Sequence, residues 1–298
     1  MKTRAFISLK IILISLLFAQ AAYSRDFTDV GLKTIHVSGN IYMLEGIHGF
    51  AGGNIGVSIG DDGILIVDDQ FSDMNEKIRA ALARLKPGQP RFVLNTHWHG
   101  DHTGGNTDFS TNATIIAHHN VRKRLMHEQT NALATTPARP KQAWPVITFD
   151  ESLTLHFNNE TIKVLHLPNG HTDGDSIIYF TESNVVHMGD HYFAGTFPFV
   201  DIATGGNVLS FADNVKRAID SVPDDVKIIQ GHGPLSNKKE LVIYHKMLHD
   251  SIQYVKQNVN KGMALEEILE KGLPDDLKPW ASGFIKADSW ITFIYQSI

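Results

Sequence analysis

The sequence predicts an α/β protein built as a four-layer αββα sandwich, two facing mixed β-sheets flanked by helices. Three observations predict it. Short β-rich runs separated by tight-turn residues are followed by amphipathic helical stretches, and this scheme occurs twice along the chain. Two halves with strands first and helices after are satisfied by two sheets packed face to face with the helices outside. No Gly/Ser-rich or Pro-rich linker divides the chain, and roughly 270 residues lie near the upper limit for one hydrophobic core.

In the first half the strands are Thr34–Val37, Ile41–Leu44, Ile55–Ile59 and Ile64–Val67, with Gly39-Asn40 and Asp61-Asp62-Gly63 as tight turns. Asp73–Lys86 carries Ile78, Ala81, Leu82 and Leu85 on one helical face and stops at Pro87-Gly88. Arg91–Asn95 is the next strand, Ala113–Ala117 another, and His119–Gln129 a helix. The second half runs through strands near Val146–Phe149, Leu153–Phe157, Thr161–Leu165, Ile177–Phe180 and Val185–His187. Val208–Ser221 reads as helix, Val226–Gln230 as strand, and Leu235 onward as mostly helix. The last helix, Ala281–Ile298, carries Trp290, Phe293 and Ile294 and is expected on the outside of a sheet.

Residues 1–24 have the form of a secretory leader: Lys2, Arg4 and Lys10, then an apolar run over Ile11–Ala19, then small residues at Ala22 and Ser24. The run is too short and wrongly flanked for a spanning helix. The expected products are therefore a mature domain at 25–298, a secreted or periplasmic location, and no stable membrane insertion after cleavage. Cleavage would lower the formal net charge from -5 to -8. An acidic surface without a basic stripe excludes a nucleic-acid partner; Val121-Arg122-Lys123-Arg124 reads as a solvated helix face. The chain has no cysteine, so neither disulfides nor thiolate ligands are available.

Thr96-His97-Trp98-His99-Gly100-Asp101-His102 follows the strand at Arg91–Asn95. Side chains alternate in extended chain, which puts His97, His99 and Asp101 on one side and His102 on the other until Gly100 bends the backbone. Three histidines and an aspartate this close are poorly explained as packing, because each needs a polar partner once buried. The stretch reads as a metal site held by imidazole and carboxylate, which suits zinc, with iron and manganese as alternatives.

His97-Trp98-His99-Gly100-Asp101-His102 resembles the HxHxDH signature of the metallo-β-lactamase superfamily. The likeness continues through Pro168-Asn169-Gly170-His171-Thr172, His187-Met188-Gly189-Asp190 and Gly231-His232-Gly233, with Ile64-Leu65-Ile66-Val67-Asp68 upstream. It covers Ile35 to Gly233 in order, and it implies the same sandwich fold. By resemblance, His97, His99 and His171 hold one metal, Asp101, His102 and His232 a second, and Asp190 bridges them. Seven candidate ligands exceed what one open catalytic zinc uses, and two zinc ions sharing one carboxylate account for all seven. Asp68 is a candidate for orienting the ligand loop. His191 reads as a residue behind the ligands or in the pocket wall, and His118 and His119 as surface groups.

A water between two such cations is acidic enough to attack a carbonyl carbon, and Asp101 is placed to take its proton. The expected activity is hydrolysis of a small-molecule cyclic amide or ester, β-lactam-like or lactone-like. Thioester hydrolysis of the glyoxalase-II kind is the alternative, and a non-catalytic zinc-binding module the alternative of a different class. A serine nucleophile is not needed, and the chain shows no second domain for a flavin. Pocket walls are expected from 46–54, 128–145 and 191–207. Phe50, Tyr192, Phe193, Phe197 and Phe199 are the apolar set, and Arg139, Lys141 and Trp144 the candidates to meet a substrate carboxylate.

Overall fold

The computed structural model describes residues 26–131 and 133–298; the leader reading at 1–24 lies outside the described residues. The chain opens with antiparallel strands β1 (Gly31–Ser38), β2 (Ile41–Ile47), β3 (Ile55–Gly60) and β4 (Gly63–Val67). Helix α1 (Asn75–Leu85) then crosses to β5 (Pro90–Leu94), which lies parallel to β4. Two single-turn helices follow, α2 (Gly100–Thr103) and α3 (Asn106–Phe109), then β6 (Thr114–His118) and α4 (His119–Leu125). The two-residue strands β7 (Gln129–Thr130) and β8 (Thr135–Thr136) form a small ribbon, and β9 (Ile147–Phe149) pairs parallel with β6. The first sheet thus has seven strands in the order β1-β2-β3-β4-β5-β6-β9.

The second sheet holds six strands in sequence order: β10 (Ser152–Phe157), β11 (Glu160–His166), β12 (Ser176–Phe180), β13 (Val185–His187), β14 (Lys227–Ile229) and β15 (Ser236–Asn237). Only the β13–β14 pair is parallel, because α5 (Val208–Ser221) makes the crossover between them. Three helices end the chain: α6 (Lys238–Asn260), α7 (Leu265–Lys271) and α8 (Ala287–Ser297). Asn207 starts α5 by accepting the N–H groups of Leu209 and Ser210, and Asn237 starts α6 by accepting that of Glu240.

The alternation of single strands builds the layers. In β4, Ile64 and Ile66 face α1, packing with Ile78, Ala81 and Leu82, while Leu65 and Val67 face the second sheet. In β14, Ile229 faces the first sheet and Ile228 faces outward, toward Phe211, Tyr244 and Trp290 from the helices. The interior between the sheets is closed by Met43, Leu94 and Ile116 from one side and Val164, Ile178 and Phe180 from the other. Each such side chain, fully buried, contributes about 1.5–3 kcal/mol. The predicted αββα sandwich is the fold.

Three expectations need correction. Ile147–Phe149 completes the first sheet beside β6 rather than opening the second. Helix α4 ends at Leu125 rather than at Gln129, because the Gln129 amide donates to the Arg124 and His127 carbonyls and so satisfies the helix end. The last helix begins at Ala287: Gly283 is extended and packs against Thr196, and a separate 3-10 turn spans Lys278–Ser282. That helix packs on α5, α6 and α7, with Trp290 in the same apolar cluster as Ile228 on the outer face of the second sheet.

Candidate metal centre

The loops after β4, β5, β11, β13 and β14 meet at one edge of the sandwich. They bring together all seven residues singled out in the sequence. His97, His99, His171 and Asp190 form one group and Asp101, His102 and His232 another, with the donor atoms inside each group within 4.8 Å of one another. Asp190 lies between the groups. Its Oδ1 is 3.2 Å from His102 Nε2, and its Oδ2 is 3.4 Å from His171 Nε2 and 3.5 Å from His232 Nε2.

Hydrogen bonds fix the tautomer of four of the five rings. Thr96 Oγ1 donates to Asp68 Oδ2 at 2.7 Å, so its lone pair accepts the Nδ1–H of His97 at 3.0 Å. His99 donates Nε2–H to Asp201 Oδ2 at 2.9 Å. His171 donates Nδ1–H to the Phe199 carbonyl at 2.7 Å, and His102 donates Nδ1–H to Asp68 Oδ2 at 2.7 Å. A neutral imidazole with one nitrogen so committed offers only a lone pair on the other. The free nitrogens are His97 Nε2, His99 Nδ1, His171 Nε2 and His102 Nε2, and all point inward. His99 Nδ1 stands 3.1 Å from His97 Nε2 and 2.8 Å from His171 Nε2, so lone pairs face lone pairs.

That arrangement is repulsive unless a cation sits among the nitrogens. Asp190 Oδ1 is buried without a hydrogen-bond partner, as a carboxylate kept for a cation would be. The backbone leaves room for the cluster: a Cβ on Gly231 would stand 1.9 Å from Asp190 Oδ1, and one on Gly53 2.2 Å from the His102 ring. The donor set therefore fits metal ions.

Electrostatics separate the two groups. Burial, joined by the charge of His102, holds His97 well below the usual histidine range, and burial brings His171 down to about 4. Their rings stay neutral, as ligands must. Burial also opposes charge on His102 and His232, but the surrounding carboxylates outweigh it. Asp190, Asp101 and Asp68 hold His102 well above its usual range, and Asp190 with Asp101 pushes His232 up to about 9. Burial would raise Asp101 and Asp190 too, yet the histidines beside them keep both below the ordinary carboxylate range. The carboxylates around the second group thus favour a positive charge there, as a bound cation would supply.

Asp68 does what its place at the end of β4 suggested. Entirely buried, it also accepts the Thr96 N–H at 2.7 Å and so ties the ligand loop to the neighbouring strand end. Asp201 is the residue that sequence reasoning missed. It lies 102 positions from His99, is 1% exposed, and also accepts from Asn131 at 2.8 Å. Nothing local in the sequence marks it. His191 is buried behind Asp190, stacked on Phe211 and 3.5 Å from the Asn214 amide. His118 is a correction: it is buried and stacks on His166 with ring centroids 3.7 Å apart, whereas His119 is exposed as expected.

The aromatic set divides. Phe50 lies 5.3 Å from the His232 ring, Phe193 5.9 Å from it, and Phe199 6.0 Å from the His99 ring, so these three rim the cluster. Tyr192 and Phe197 do not. Tyr192 donates or accepts at Ser236 and packs on Tyr244, and Phe197 stacks on Trp290, both inside the core. Of the proposed carboxylate partners, Arg139 lies against Gly100, Lys141 is exposed, and Trp144 is half-buried with its indole N–H on the Arg139 carbonyl.

The metallo-beta-lactamase superfamily model matches residues 68–232. A hydroxyacylglutathione hydrolase from Pelagibacter ubique (strain HTCC1062) is 24% identical over 186 residues, covering 62% of this chain and 66% of that one. The aligned stretches span between 41% and 66% of the length of this and two other curated relatives. Among solved structures, a metallo-beta-lactamase from Pontibacter korlensis superposes with a TM-score of 0.61 at 14% identity, covering 73% of this chain and 99% of that one. The sec-alkylsulfatase Pisa1 from Pseudomonas sp. superposes with a TM-score of 0.68 at 16% identity, covering 90% of this chain and 50% of that one. Both structures share the sandwich fold. The family match spans more than half the chain, from the aspartate that ties the ligand loop to the last histidine of the cluster, and the chain belongs to the metallo-β-lactamase superfamily.

Proposed function

We propose that this protein is a dinuclear zinc hydrolase of small-molecule acyl compounds, with a cyclic amide or ester as its substrate. The observation that carries the reading is the set of imidazole lone pairs turned inward by hydrogen bonds at the opposite ring nitrogens, around one buried carboxylate. His97, His99 and His171 would hold one ion, Asp101, His102 and His232 the other, and Asp190 both. A nitrogen- and oxygen-only donor set rich in imidazole favours zinc, with iron or manganese as substitutes. Two cations bound there would supply Lewis acidity for the attacking water and for the carbonyl oxygen.

The chain's own residues do the rest. Asp68, Asp201 and the Phe199 carbonyl hold the rings in register. Asp101 keeps 21% of its side chain exposed, with Oδ2 toward His232 and His102, so Oδ1 takes the proton of the attacking water. Phe50, Phe193 and Phe199 give the acyl portion an apolar wall and keep bulk water from it. The half-open carboxylate and the partly exposed His99 and His232 speak against a closed, non-catalytic zinc module.

Thioester hydrolysis is the second reading, favoured by the hydroxyacylglutathione hydrolases among the relatives. Export to the periplasm or medium belongs to the proposal through the leader-like residues 1–24. Among the described residues no helix is long and apolar enough to cross a membrane. The test is a parallel assay of the zinc-reconstituted protein on a β-lactam, a lactone, a thioester and a phosphodiester, each with a chelator control. Chelator-sensitive turnover of the lactam or lactone is the expected result. Turnover of the phosphodiester alone would overturn the acyl-hydrolase reading.

A further inference from the structure

The 128–145 segment brings one positive charge to the edge of the metal centre. The backbone of Arg139 is fixed: its N–H donates to the Leu125 carbonyl at 2.8 Å, and its carbonyl accepts the Trp144 indole N–H at 2.9 Å. Pro137 and Pro140 restrict the chain on either side. The guanidinium lies over Gly100, where a Cβ would stand 2.8 Å from Nη2. Gly100 separates His99 from Asp101, one residue from each donor group, and these are 12% and 21% exposed. The guanidinium therefore sits beside the backbone that joins the two groups, on a part of the loop that solvent reaches.

Arg139 is half-buried as a residue, yet its guanidinium makes no hydrogen bond or ion pair among the described residues. Its charge is felt at the buried Asp69 without contact. The other arginines nearby are occupied. Arg124 is closed by Asp173 at 2.6 Å and 3.2 Å, and Arg122 donates to the Pro145 carbonyl and lies over the Trp144 ring. A guanidinium held this close to a reaction site with its donors uncommitted is suited to a planar oxyanion, which it can bind through two parallel hydrogen bonds.

We propose that Arg139 is the specificity-determining residue of this site, receiving a carboxylate or sulfate group on the substrate. The proposal rests on the hydrolase reading above for what the anchored molecule is, but its test does not need turnover. Phenylacetate, phenyl sulfate and the neutral phenylacetamide are titrated calorimetrically into zinc-reconstituted wild type, Arg139→Met and Arg139→Lys, with zinc content measured in each. Wild type should bind at least one of the two anions, and Arg139→Met should weaken that binding tenfold or more. Arg139→Lys should restore part of it, with zinc content and phenylacetamide affinity unchanged. The anion that loses affinity identifies the group recognised. Failure of both anions to bind wild type, equal binding by Arg139→Met, or an equal loss for phenylacetamide overturns the proposal. A protein that hydrolyses none of the acyl substrates yet shows the Arg139-dependent anion binding would refute the hydrolase reading alone.

Discussion

Replacing Asp68 by Asn changes one atom and separates the fold from the metal centre. Asp68 accepts three hydrogen bonds of 2.7 Å: the Thr96 N–H on Oδ1, and the Thr96 hydroxyl and His102 Nδ1–H on Oδ2. An amide has only one oxygen. Placed at Oδ2, that oxygen would set its NH2 against the Thr96 N–H, leaving buried donors opposed at a cost of about 1–3 kcal/mol. Placed at Oδ1, the oxygen keeps the Thr96 N–H, and the NH2 faces the Thr96 hydroxyl and His102. The hydroxyl can turn its lone pair to the amide, and His102 can move its proton from Nδ1 to Nε2. One buried proton, that of the Thr96 hydroxyl, is then left unpaired, because its oxygen also takes the His97 Nδ1–H; this costs less than the opposed donors, and the metal-free fold should lose about 1–2 kcal/mol. His102 Nε2, however, now carries a proton where it offered a lone pair. Affinity for the ion of the second group should fall about 10–100-fold, the usual effect of losing a histidine-orienting partner. Zinc competition against a chromophoric chelator reads the two binding steps, and imidazole 15N shifts read the tautomer. Two wild-type steps in Asp68→Asn, with His102 still protonated on Nδ1, would refute the tautomer argument.

Asp201→Ala should act on the other ion: it strips the acceptor from His99 Nε2–H and from Asn131, and chelator competition should show the first group weakened about 10–100-fold with the second unchanged. Phe193→Ala and Phe197→Ala should differ in kind. Phe193 lies against the His232 ring, so its loss should lower kcat/KM by the equivalent of about 1–3 kcal/mol at little cost in melting temperature. Phe197 is 2% exposed and stacked on Trp290, so its loss should destabilise by about 3–5 kcal/mol and leave kcat/KM per folded molecule intact. Burial, joined by the neighbouring His166, pushes His118 down to about 4. Its neutral form is therefore favoured on folding, and the stability this confers is complete above pH 6.5 and lost as pH falls through about 4. His118→Gln should flatten the melting temperature between those values; an unchanged profile would place the titration elsewhere.

The sheets were legible because their signals are local. Alternation in Ile64-Leu65-Ile66-Val67, the Gly39-Asn40 turn and the Pro87-Gly88 stop each act within a few residues. The HxHxDH run was legible for the same reason, and the later ligands sit in short Gly-flanked turns directly after strands. Pairing partners are not local, which is why Ile147–Phe149 was expected in the wrong sheet although its strand character was plain. Side-chain direction in an irregular loop follows no period, so nothing in 191–207 distinguished Phe193 and Phe199, which rim the metal centre, from Tyr192 and Phe197, which fill the core. Asp201 reaches His99 across 102 residues of chain, and that contact is created by the fold alone.

Metal content measured together with activity tests the account most directly. The protein is purified without chelator, its zinc, iron and manganese are counted, and the same sample is assayed on its best acyl substrate, alongside Asp190→Asn. Asp190 touches residues of both groups, so the account predicts close to two ions per wild-type chain. In Asp190→Asn the second ion should weaken and turnover fall about 10–100-fold or more. A wild-type protein fully active with a single ion and indifferent to added zinc would contradict it, as would an Asp190→Asn variant with unchanged metal content and rate.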